Sequence, residues 1–163
     1  MRAAAYGSLE FCLPNAKRYA DIFTCASLME ELSAELYEEE REFNPVPLGA
    51  SVSDAATALM CDKLLDECDF LIIEKERLCH SLTDNRENTA FEEDSVCFDA
   101  LGTLIGNIQK SAQKKKKRLI LSLGKSGSLD GLSRELLSEF TYISASLDSV
   151  SAIKKSISDI QKG

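Results

Sequence analysis

Helical periodicity recurs along this chain in four long stretches, separated by three segments that a helix does not accommodate. Phe43-Asn-Pro-Val-Pro-Leu-Gly-Ala50 holds two prolines and a glycine, and Gly124-Lys-Ser-Gly-Ser128 is short and flexible. Thr83-Asp-Asn-Arg-Glu-Asn-Thr-Ala90 is polar and rich in turn formers. Elsewhere the apolar residues step by threes and fours. The first stripe is Tyr19, Ile22, Ala26, Met29 and Leu36; the second is Cys61, Leu64, Cys68, Leu71, Leu78 and Leu82. Beside the second run Leu65, Ile72 and Cys79, so that helix is expected to touch more than one neighbour. The third carries Cys97, Leu101, Leu104, Ile108 and Ala112. The fourth carries Leu132, Leu136, Phe140, Ile143, Leu147 and Val150, then restarts at Ile153, Ile157 and Ile160.

Boundary signals accompany these stripes. Pro14 suits a first helical turn, Ser51-x-x-Asp54 has the form of a capping box, and Ser128 reads as an N-cap. Leu119-Ile-Leu-Ser-Leu123 has the composition of a strand, but a lone strand has no sheet to join, so it is read as the end of the third helix. The predicted fold is all-α. Four long helices, over residues 14–42, 53–83, 94–123 and 128–161, form an elongated antiparallel bundle or paired coiled-coil hairpins. They make a single helical domain over 1–163, with 1–13 a flexible N-terminus and 83–93 a polar loop.

Composition agrees with that expectation: three prolines, eight glycines and no tryptophan are few for a turn-rich all-β domain. The formal charge of −8 is unevenly placed. Residues 1–84 hold 7 basic and 17 acidic side chains, whereas residues 85–163 hold 12 and 10. The acidic first half repels nucleic acid and anionic lipid, so nucleic acid is an unlikely partner. No apolar run approaches the roughly 20 residues of a membrane span, and no export signal is visible. The expected location is intracellular, cytoplasmic or nuclear.

The sequence carries few groups suited to catalysis or metal binding. The six cysteines, Cys12, Cys25, Cys61, Cys68, Cys79 and Cys97, contain no CxxC pair and read as reduced core residues. The one histidine, His80, adjoins Cys79, and side chains of helical neighbours diverge, so neither a metal site nor a Cys–His dyad is expected. Glu38-Glu-Glu-Arg-Glu42 reads as a solvated face. Gly124-Lys125-Ser126 resembles the end of a phosphate loop, but position 119, where its first glycine belongs, is leucine. No catalytic residue, cofactor or metal is predicted.

Two surfaces stand out. Lys114, Lys115, Lys116, Lys117 and Arg118 are five consecutive cations, read as a solvated segment, an import patch or a dock for an acidic partner. On the fourth helix, Thr141, Ser144, Ser149 and Ser151 lie off the seam, where small hydroxyl residues allow close approach of a protein partner. The expected function is a non-enzymatic helical subunit or scaffold of a larger hetero- or homo-oligomeric assembly. The alternative is a monomeric four-helix-bundle adaptor that binds a peptide or an acidic surface through Lys114–Arg118.

Overall fold

The computed structural model describes residues 1–16, 18–83, 96–125 and 127–162. These residues form a mixed α/β fold, which overturns the all-α expectation. Five parallel strands make one sheet: β1 (Phe11–Leu13), β2 (Leu48–Val52), β3 (Phe70–Glu74), β4 (Arg118–Ser122) and β5 (Tyr142–Ser144). Seven helices lie between and after them: α1 (Tyr19–Glu38), α2 (Ala55–Leu59), α3 (Cys61–Glu67), α4 (Lys75–Leu82), α5 (Val96–Lys115), α6 (Arg134–Ser138) and α7 (Val150–Lys162). No helix among the described residues is long and apolar enough to cross a membrane.

Each misread helix has a local reason. Phe70-Leu-Ile-Ile-Glu74 is a short, nearly unbroken apolar run, the pattern of a parallel strand buried on both faces. Within the stretch 53–83 it separates α3 from α4, so the stripe through Leu71 and Ile72 belongs to a sheet. The run at 119–123 does have a sheet to join: Leu119 pairs with Leu71 and Leu121 with Ile73. The stretch 128–161 divides into α6, β5 and α7. Asp54, not Ser51, caps α2, its carboxylate accepting from the Thr57 N–H and hydroxyl at 2.9 Å each. Ser133 caps α6, while the Ser128 hydroxyl accepts from the Asp130 N–H in a local turn. Residues 1–13 hold a 3₁₀ turn (Arg2–Ala5) and β1. The expected polar loop at 83–93 lies outside the described residues beyond Thr83.

The strand order follows the chain order, β1-β2-β3-β4-β5, with every pairing parallel. Right-handed crossovers in a monotonic order put the helices on one face, as in an arc of a (β/α) barrel. Burial agrees. Ala50, Val52, Leu71, Ile73, Leu119 and Leu121 point into the helix layer and share its core with Leu65, Leu78, Leu101, Ile105 and Ile108. The residues that alternate with them, Gly49, Ser51, Phe70, Ile72, Glu74, Arg118, Ile120 and Ser122, face the other side.

Candidate functional site

Five parallel strands present their carboxyl ends along one edge, the position where α/β sheets and barrels collect their ligand-binding side chains. In the last layer of the helix-free face, register aligns Glu74, Ser122 and Ser144 across β3, β4 and β5. Immediately beyond β3, the Arg77 guanidinium in the first turn of α4 lies 3.0 Å from the Glu74 carboxylate. Beyond β4 the chain turns at Gly124, whose φ of 69° is left-handed and where a Cβ would collide with the Glu76 carboxylate. That carboxylate accepts the Lys125 N–H at 3.0 Å, tying the β4 loop to α4. Glu74, Glu76, Arg77, Ser122, Gly124 and Lys125 line an open cleft of about 210 Å³.

A second polar group adjoins the same edge at β1 and β2. Asn15, held at φ 53°, donates its backbone N–H to the Ser51 hydroxyl, while the Ser53 hydroxyl donates to the Asn15 side-chain Oδ1 at 3.2 Å. Ser51 and Ser53 are both buried. Lys75, also buried, anchors the loop after β4 by donating to the Ser128 carbonyl at 3.0 Å. Burial pushes its ammonium below the usual lysine range, and Asp130 partly restores it.

The predicted site residues lie elsewhere or apart. Lys114–Arg118 occupy the opposite, amino-terminal edge, where α5 ends and Lys116 turns the chain at φ 55°. Lys115 pairs with Asp66 at 2.5 Å and with Asp62 at 3.4 Å, and Lys117 pairs with Asp69 at 3.8 Å. Arg118 pairs with Glu10 at 2.5 Å and lies over the Phe70 ring. Thr141, Ser144, Ser149 and Ser151 do not share a helix face: they fall in the loop before β5, in β5, in a 3₁₀ turn and in α7. Only Ser144 reaches the strand-end edge. Cys61, Cys68, Cys79 and Cys97 are buried, Cys12 and Cys25 half-buried, and all six are free thiols. Among the described residues no group of three or more His, Cys, Asp or Glu is placed to hold a metal ion.

Sequence reasoning missed Glu74, Arg77 and Ser122, and set Lys125 aside with the incomplete phosphate loop that begins at Gly124. The signal was present: two apolar runs, each followed at once by charged or glycine-containing segments, are what strand ends at a shared edge look like.

The family model for the PEP-utilising enzyme, PEP-binding domain, matches residues 1–162. The sequence matches no curated protein. Among solved structures, the crystal structure of a citrate lyase from Burkholderia xenovorans LB400 is similar in fold. It superposes with a TM-score of 0.60 at 16% identity, over 96% of this chain and 51% of that one. The chain thus spans about half the length of that structure.

Proposed function

Because the chain belongs to the PEP-utilising enzyme family, matched through its PEP-binding domain, we propose that the cleft at the carboxyl ends of β3 and β4 binds a small phosphorylated carboxylate of the phosphoenolpyruvate class. Membership of an enzyme family overturns the expectation of a non-enzymatic helical scaffold or adaptor. The observation that carries the proposal is the pairing, in one cleft, of two cations that come from sequence positions 77 and 125.

Phosphoenolpyruvate presents a phosphoryl group and a carboxylate, so its site needs more than one cationic or N–H donor. The Arg77 fork suits bidentate contact with either group, and Lys125 supplies a mobile point charge beside it. Ser122 and Ser144 add hydroxyl donors on the same layer. Glu74 competes for Arg77, but their pair is solvent-facing, the Arg77 side chain being 53% exposed. Such pairs are worth roughly 0–1 kcal/mol, so an incoming phosphoryl group exchanges with the carboxylate at little cost. Glu76, engaged with the Lys125 backbone, acts as a positioning residue for the loop.

Isothermal titration calorimetry of the chain with phosphoenolpyruvate, pyruvate and inorganic phosphate tests this. Phosphoenolpyruvate is expected to bind more tightly than either fragment, with affinity falling as salt rises. R77A and K125A are each expected to weaken it by about tenfold or more, the value of one charge-assisted hydrogen bond. Equal affinity for phosphate, or indifference to both substitutions, would place the ligand elsewhere.

A further inference from the structure

Cys79 and Cys97 are in direct contact within the core. Their Sγ atoms are 3.4 Å apart, and the Cys97 Sγ also lies 3.7 Å from the Cys79 carbonyl oxygen. Cys79 belongs to α4 and Cys97 to the first turn of α5, so the contact joins two elements through residues 18 apart in sequence. Both are free thiols.

We infer that Cys79 and Cys97 are a redox-modification site that closes to an intramolecular disulfide when the protein meets a peroxide. Thiol sulfurs at van der Waals distance need to approach by only a little over 1 Å to reach bonding distance, about 2.05 Å. Cys97 is the more exposed of the two, 8% against 3%. Its thiol is oxidised first: the sulfur takes one peroxide oxygen, giving a sulfenic acid and one water. The Cys79 sulfur then attacks the Cys97 sulfur, the S–S bond forms, and the sulfenic hydroxyl leaves with the Cys79 proton as a second water. Two thiols lose two electrons and hydrogen peroxide gains them. Burial, reinforced by the contact with Cys97, raises the Cys79 thiol, so Cys79 is the less reactive of the two toward peroxide and acts second.

The bond has a consequence for the cleft, because α4 carries both thiol and cation: Arg77 precedes Cys79 by two residues. A disulfide at Cys79 pins α4 to α5 and fixes the helix that presents Arg77.

The test treats the folded full chain with hydrogen peroxide and maps tryptic peptides without reduction. Cleavage after Arg77, Arg86 and Lys110 releases Cys79 and Cys97 on separate peptides, 78–86 and 87–110. The expected product is those two peptides joined, separated again by dithiothreitol, with the thermal midpoint of the oxidised protein raised by about 5 to 10 °C. C79S should abolish the link and leave a Cys97 sulfenic acid that dimedone captures; C97S should leave Cys79 reduced. The inference is overturned if Cys12 and Cys25 oxidise while this pair stays reduced. It is equally overturned if the link forms only in urea, since the native contact would then play no part.

Discussion

Gly49 shows how closely the helix-free face of the sheet is packed. A Cβ there would run into the ring of Phe70, its partner on β3, and Phe70 is almost wholly buried. Ring and strand cannot both stay in place, so G49A is expected to destabilise the fold by about 1–3 kcal/mol, read as a lowered urea midpoint at unchanged slope. The cysteines set a pH limit. Burial, with Glu74 nearby, raises the Cys12 thiol to about 11; burial, with Asp69 nearby, raises Cys68 to about 12. An unfolded cysteine keeps the ordinary value near 9.0. Between 9 and 12 the unfolded chain therefore binds fewer protons than the folded one, and stability falls as pH rises. Below 9 both states hold the proton and the contribution is complete. Urea midpoints measured from pH 8 to 11 should decline, and C68A should flatten the decline.

Among the elements, α5 holds the helix layer together. It packs against α2, α3, α4 and α6, and Leu101, Ile105 and Ile108 are fully buried along it. Gln109, also buried, donates to the Leu136 carbonyl at 2.6 Å and so fastens α6. I105A should therefore cost about 2–5 kcal/mol and lower the urea midpoint accordingly. This helix was the most legible part of the sequence, because a stripe every three or four residues over 20 residues has no other simple reading. Cys97, Leu101, Leu104, Ile108 and Ala112 are all buried. The cations that follow were legible as a cluster but not as a function. Lys115, Lys117 and Arg118 meet Asp62, Asp66, Asp69 and Glu10, acids on other elements, only once β4 pairs with β3.

On the scale of the whole molecule, one core serves both layers, so sheet and helices are expected to unfold together. Circular dichroism at 222 nm and the release of buried thiols to a thiol reagent should follow one transition in urea. In the folded protein Cys25, half-buried, should react ahead of the other five, Cys12 being slowed by its raised thiol; early release of Cys61 or Cys68 would break the single core in two. The break read at 43–50 runs into β2 at Leu48, and the helix read as far as 123 gives way to β4 at Arg118. The sequence by itself determined that a helix runs through Cys97–Ala112 and that most cysteines sit inside. Those are local properties, carried by neighbours within a few turns. Tertiary structure alone decided the sheet and the cleft. A five-residue apolar run reads the same as one turn of a helix seam, and only pairing with distant strands, Gly49 with Phe70 and Phe70 with Arg118, makes it a strand. The same pairing aligns Glu74 with Ser122 and brings Arg77 and Lys125 to one cleft. No spacing along the chain records that meeting, because it depends on the register of hydrogen bonds between segments dozens of residues apart.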